Sequence, residues 1–260
     1  MSHIPRKRFG QNFLQDRQII ERIVEAIDPR PGERIVEIGP GKGAITFPLL
    51  SRIGKLTALE IDRDLASAIR ESSVAFGELE VIETDALAFD YTALAGGARL
   101  RVVGNLPYNI STPLLFHLID HFASVADMHF MLQLEVVERM ASGPGNKVYG
   151  RLSVMLQSRA DVEMLFKVPS AAFWPAPKVE SAIVRITPLE TQPSREIIVA
   201  LESIVRRAFS ARRKTLANGL KGLLTAEQII SAGIDPIARA ETISRAGFLK
   251  LADILSSQPP

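Results

Sequence analysis

No cysteine occurs anywhere in this 260-residue sequence, which removes disulfides, thiolate metal sites and a cysteine nucleophile together. Nor is there any run approaching eighteen apolar residues. The opening, MSHIPRKRFGQNFLQ, has neither the apolar stretch nor the small-residue cleavage site of a secretory signal. These absences predict a soluble, cytoplasmic protein without a membrane partner. Histidine is sparse and scattered, at His3, His117, His121 and His129. His117 and His121 share a helix face, but with no third ligand in sight no metal is expected. Net charge is also small, at +2.

That near-balance hides an asymmetry. From Thr191 onward ten lysines and arginines face six acids, whereas the residues before it hold 21 against 23. No acid lies between Glu202 and Glu227, and the gap contains Arg206, Arg207, Arg212, Arg213, Lys214 and Lys221. A second basic cluster, Arg6-Lys7-Arg8, opens the chain. Two such clusters around a nearly neutral body favour a polyanion such as RNA, with these side chains as its candidate contacts.

What is present is enough apolar material, 47% of residues, for one sizeable α/β domain with a small appendix. Ile19, Ile20, Ile23, Val24 and Ile27 fall at helical spacing, and Pro29 and Pro31 stop that helix. Short apolar strands follow in RIVEIG, KLTALEID, LEVIETD, LRVVGN and MHFMLQL, separated by helical segments. Strands alternating with helices at this spacing predict a parallel sheet covered on both faces. Beyond the polar junction ETQPSRE only helices are expected, over 197–224 and 226–255. The predicted organisation is therefore an α/β domain over 1–190 and a small all-α, basic domain over 191–260. No apolar stripe is left over, so a monomer is expected.

The first strand runs into Gly39-Pro40-Gly41-Lys42-Gly43 and then a helix. Backbone must approach a ligand closely at such a turn, and the helix N-terminus offers free N–H groups. The spacing is G-x-G-x-G, not the G-x-G-x-x-G of dinucleotide sites. The second strand ends in Glu60, able to accept both hydroxyls of a ribose, and the third leads to Asp85, placed to accept from an adenine amino group. This succession resembles the Rossmann-like class I methyltransferases that use S-adenosylmethionine. The resemblance implies that Gly39 and Gly41 pack on the methionine part of the cofactor, that Glu60 holds its ribose and that Asp85 reads its adenine.

The fourth strand ends in Asn105-Leu106-Pro107-Tyr108 beside that pocket. The lone pair of an adenine amino group is delocalised into the ring. An Asn105 side-chain oxygen and the Leu106 carbonyl, accepting its two N–H groups, would draw the nitrogen toward a pyramidal form. Pro107 extends Leu106 and contributes no donor, and Tyr108 offers a face for an extruded base. In AFWPAPKVESA, Phe173 is the expected stacking partner opposite Tyr108, with Trp174 as an alternative core anchor.

RKRFGQNFL, EIGPGKGAIT, LEID, TDAL, GNLPYNIS, YGRLSVMLQ, FWPAPKVESA and RRKTLANGL together resemble the bacterial 16S ribosomal RNA adenine N6,N6-dimethyltransferases, the KsgA/RsmA type of the rRNA adenine dimethylase family. The resemblance covers nearly the whole chain. It implies transfer of methyl groups from S-adenosyl-L-methionine to two adjacent adenosines near the 3′ end of 16S rRNA, in the 30S subunit or its precursor. It also implies that Asn12 and Leu14 close over the cofactor, and that the helical tail engages the ribosomal particle. Lys42 departs from the apolar residue usual at its place in relatives. Two alternatives stay open: a 23S rRNA methyltransferase of the macrolide-resistance type, and a non-catalytic assembly or transcription factor on the same scaffold.

Overall fold

The computed structural model describes residues 12–108 and 110–258. Strand β1 (Phe13–Leu14) leads into helix α1 (Arg17–Ile27), whose start is capped by the Asp16 carboxylate accepting from Gln18 N and Ile19 N. Five β-α alternations follow. They are β2 (Ile35–Ile38) with α2 (Thr46–Ile53), β3 (Lys55–Glu60) with α3 (Arg63–Ser73), β4 (Glu78–Glu83) with α4 (Tyr91–Ala95), β5 (Leu100–Asn105) with α5 (Ser111–Asp120), and β6 (Val125–Gln133) with α6 (Leu134–Ala141). Then come α7 (Arg151–Gln157), β7 (Ala160–Val168), β8 (Phe173–Trp174) and β9 (Ser181–Pro188). The chain ends in α8 (Arg195–Ser210), α9 (Leu216–Gly219), α10 (Ala226–Ser231) and α11 (Arg245–Ser256).

Seven strands form one sheet in the order β4-β3-β2-β5-β6-β9-β7. The first five are parallel, and β9 runs antiparallel to β6. The central β2 is buried along its whole length, as a strand covered on both faces must be. Strand order reverses between β2 and β5, so the connections that leave their carboxyl ends diverge and open a crevice. The two strands approach so closely that a Cβ on Gly104 of β5 would stand 2.5 Å from the Ile38 carbonyl oxygen. Only glycine fits there.

The chain forms two compact units, one of residues up to Val137 with Glu163–Pro188, the other of Glu138–Val162 with Leu189–Pro260. This differs from the linear division expected from the sequence, 1–190 followed by 191–260. Residues 138–162 belong with the C-terminal helices because Tyr149, Val154 and Met155 share an apolar cluster with Leu201, Ile204, Phe248 and Leu251. The C-terminal part is helical, as expected, but in shorter pieces. Arg212 to Thr215 break the first predicted helix, and Gly233 (φ 75°) with Pro236 breaks the second. The other unit is centred on a cluster that joins Ile23, Val24 and Ile27 of α1 to Leu49 and Leu50 of α2 and to Val103, Met131 and Ile183 of the sheet.

Candidate active site

A cleft of about 210 Å³ lies at the carboxyl ends of β2, β3, β4 and β5. Its lining includes every residue expected from the sequence to hold the cofactor: Asn12, Leu14, Gly39, Gly41, Glu60, Asp85 and Asn105. Leu106, Pro107, Tyr108 and Phe173, expected to handle the target base, line the same cleft.

The glycine turn takes its shape from backbone geometry. Gly39, Gly41 and Gly43 have φ values of 68°, 57° and 82°, a region that L side chains rarely enter. Gly41 N–H points at Glu60 Oε2, 3.3 Å away, and Asp62 N–H donates to Glu60 Oε1 at 2.9 Å. Two backbone donors thus orient the second-strand carboxylate. A carboxylate has about four acceptor positions, so capacity for ligand hydroxyls remains. Burial lifts the Glu60 carboxyl above its ordinary value, and the backbone N–H groups of Asp62, Gly41 and Ile61 hold part of the rise back. Asp85 lies just beyond β4, is exposed, and accepts from Leu87 N at 2.9 Å.

A short ribbon crosses the glycine turn. Strand β1 pairs antiparallel with β8, setting Phe13 opposite Trp174 and Leu14 opposite Phe173. A Cβ on Gly41 would meet the Phe13 ring at 3.4 Å, so the absent side chain leaves room for that ring. Asn105 Nδ2 donates to the Asn12 carbonyl at 3.2 Å, which directs the amide nitrogen toward the ribbon and leaves Oδ1 as the acceptor of that side chain. Leu106 N–H is spent on Met131 O at 3.2 Å. The Tyr108 hydroxyl lies 2.8 Å from Ser181 Oγ, anchoring the ring at the cleft.

Sequence reasoning missed Glu37. It sits in β2 within the run IVEI, is 2% exposed, lines the cleft, and its Oε2 has no hydrogen-bond partner. Burial pushes its carboxyl up to about 7, with the Glu60 charge adding to the rise and the Thr46 hydroxyl opposing it. The signal was available, since a carboxylate inside an apolar strand is costly unless something compensates it. Phe13 and Lys42 also line the cleft, a placement that no spacing in the sequence indicates. Ser181 was legible only through strand register.

Of the expected RNA contacts, Arg206, Arg207, Arg213, Lys214 and Lys221 are exposed. Arg212 differs from them. Its Nε pairs with Glu241 Oε2 at 2.7 Å and its Nη2 donates to Lys147 O at 2.6 Å, so it serves the fold of its own unit. Arg6, Lys7 and Arg8 lie outside the described residues. His117 and His121 do share a face, but their rings bond Phe89 O and Thr92 Oγ1, and no group of three metal-binding side chains occurs among the described residues. None of the described helices is long and apolar enough to cross a membrane.

Comparison with known proteins agrees with this geometry. The family model for ribosomal RNA adenine dimethylase matches residues 2–257. The ribosomal RNA small subunit methyltransferase A of Xanthomonas campestris pv. campestris (strain B100) is 52% identical over 253 residues, 96% of this chain and 95% of that protein. Its counterpart in Xanthomonas oryzae pv. oryzae (strain PXO99A) is 54% identical over 252 residues, with the same coverage. Among solved structures, the 23S rRNA methyltransferase ErmE superposes with a TM-score of 0.77 at 27% identity, covering 94% of this chain and 99% of that one. A dimethyladenosine transferase from Plasmodium falciparum gives 0.79 at 25% identity, over 92% and 95%. With its glycine turn, strand-end acids and NLPY segment converging on one cleft, this chain belongs to the ribosomal RNA adenine dimethylase family.

Proposed function

We propose that the protein transfers methyl groups from S-adenosyl-L-methionine to N6 of two adjacent adenosines near the 3′ end of 16S rRNA, forming N6,N6-dimethyladenosine as the small ribosomal subunit matures. It works in the cytoplasm as a monomer on the 30S subunit or its precursor. The observation that carries this reading is the shared lining of one cleft: Glu60 and Asp85 at one side, Asn105 to Tyr108 with Phe173 at the other.

The residues fit the cofactor. Glu60 has acceptor positions for ribose hydroxyls, Gly39 opens a cradle in the cleft that a Cβ would fill, and the partnerless Glu37 oxygen suits a cationic ligand group. When bound, S-adenosylmethionine supplies an electrophilic methyl on a sulfonium. The chain's own part is to position the nucleophile. Asn105 Oδ1 and the Leu106 carbonyl accept hydrogen bonds from the amino N–H groups, freeing the nitrogen lone pair to face the methyl carbon. Tyr108 and Phe173 hold the extruded base between rings. The methylated nitrogen would be acidic and would lose its extra proton to water, so the chain has to hold and orient the base but not to deprotonate it. Catalysis is by orientation and electrostatics, without a strong general base. The exposed cations of the C-terminal unit contribute sequence-independent attraction to phosphates.

The likeness to ErmE supports a second reading, a 23S rRNA methyltransferase. The higher identity to proteins named for the small subunit favours the first. Labelled S-adenosylmethionine offered with unmodified small subunits, naked 16S rRNA, large subunits and duplex DNA decides between them. Dimethyladenosine confined to small subunits is expected. Label in 23S rRNA would establish the second reading. Binding of the particle without transfer would leave an assembly factor on a methyltransferase scaffold.

A further inference from the structure

Side chains alternate along a strand, and β8 is short enough for this to matter. Phe173 turns into the cleft and is 5% exposed, whereas its neighbour Trp174 is 51% exposed. An indole half in water is no core anchor. It is nevertheless held in place. Trp174 stands opposite Phe13 in the β1–β8 ribbon, and Lys42 Nζ lies 5.7 Å from the centre of its ring and 4.5 Å from that of Phe13. Pro175 and Pro177 restrict the backbone that follows. Lys42 is itself exposed and lines the cleft. A rigid, solvent-facing aromatic accompanied by a cation thus lies one residue from the ring that faces the target pocket.

We infer that Trp174 is a stacking platform for the second adenosine of the pair while the first occupies the cleft, with Lys42 providing positive charge for the phosphodiester between them. This rests on the methyltransferase reading above. Extruding one base leaves its strand neighbour unstacked on the exposed side. That neighbour is tethered by a single phosphodiester, so it must lie at the rim of the cleft. Indole covers the π-face of any base and loses little freedom in doing so when already fixed. Once the first adenosine is modified, the second needs only to move from Trp174 to the pocket, which suits a substrate of two consecutive targets.

Trp174 is the sole tryptophan, so the intrinsic tryptophan fluorescence of the full chain reports on this position alone. Titration with an RNA hairpin carrying the two adjacent adenosines is expected to quench it. The same hairpin with an abasic site in place of the second adenosine should bind with little quenching. On unmodified small subunits, Trp174→Ala should raise KM between about five- and 150-fold, with kcat and the dissociation constant of S-adenosylhomocysteine within twofold of wild type. Trp174→Phe should recover most of that loss. Equal quenching by the abasic hairpin, or RNA binding with none, overturns the inference. So does a KM loss matched by weaker S-adenosylhomocysteine binding, which would make Trp174 a clamp on the ribbon. Failure of the wild type to methylate any adenosine would instead refute the methyltransferase reading, while the fluorescence arms would still report on the platform.

Discussion

Replacing Glu37 with the isosteric glutamine should make the protein more stable at alkaline pH and leave it unchanged in acid. The carboxyl is 2% exposed and its Oε2 is unpartnered, so ionisation inside β2 is opposed by burial first and by the Glu60 charge second. Between the ordinary carboxyl value of 4.5 and about 7, the folded chain keeps a proton that the unfolded chain has released. Raising the pH through that window therefore favours unfolding, and the loss is complete above about 7. At ~1.4 kcal/mol per pH unit, that span amounts to about 3 kcal/mol. For a chain of this size, this corresponds to a rise of about 5 °C in the denaturation midpoint of Glu37→Gln relative to wild type. Thermal denaturation of both proteins without cofactor at pH 4.5 and pH 8 tests it. The difference should be near zero at the lower pH and at its full size at the higher. A variant equally stable or less stable than wild type at pH 8, or a difference that does not change with pH, would refute the argument that Glu37 is held neutral by burial.

Asn105→Ala removes the acceptor proposed for the amino group, and kcat should fall ~100- to 1000-fold with S-adenosylhomocysteine affinity changed only a few-fold, measured by single turnover and calorimetry. Gly104→Ala places a methyl 2.5 Å from the Ile38 carbonyl and should cost about 1–3 kcal/mol in chemical denaturation, or prevent folding. Arg212→Ala should lower stability by about 1–3 kcal/mol through its lost bonds to Glu241 and Lys147. Arg213→Ala, at an exposed position, should leave stability within ~0.5 kcal/mol. It should instead reduce the slope of log affinity for the ribosomal particle against log salt by about one.

Much of this cleft was legible because many of its lining groups occupy strand ends, and strand ends are marked locally. Apolar runs located β2 to β5, and whatever followed each run had to lie at the carboxyl edge of the sheet. Glycines at positive φ, Glu60, Asp85 and Asn105 were found this way. Charge counting found the basic tail but treated its cations as equivalent. It could not separate Arg212, which spends its donors inside the fold, from the exposed Arg213 beside it.

The succession of strands along the chain, the glycine turn and the acids after it follow from the sequence alone, since each depends on neighbours within a few positions. Long-range closure does not. Asn105 meets Asn12 across 93 positions and Tyr108 meets Ser181 across 73, and those pairings anchor the Asn105 amide and the Tyr108 ring at the cleft. Residues 138–162 join the C-terminal helices through a shared apolar cluster that no local spacing announces. The contrast between Phe173 inside and Trp174 outside, and the burial that raises the Glu37 carboxyl, arise only when register is fixed and water is excluded. Periodicity specifies which residues form a strand; packing specifies which side of it meets solvent.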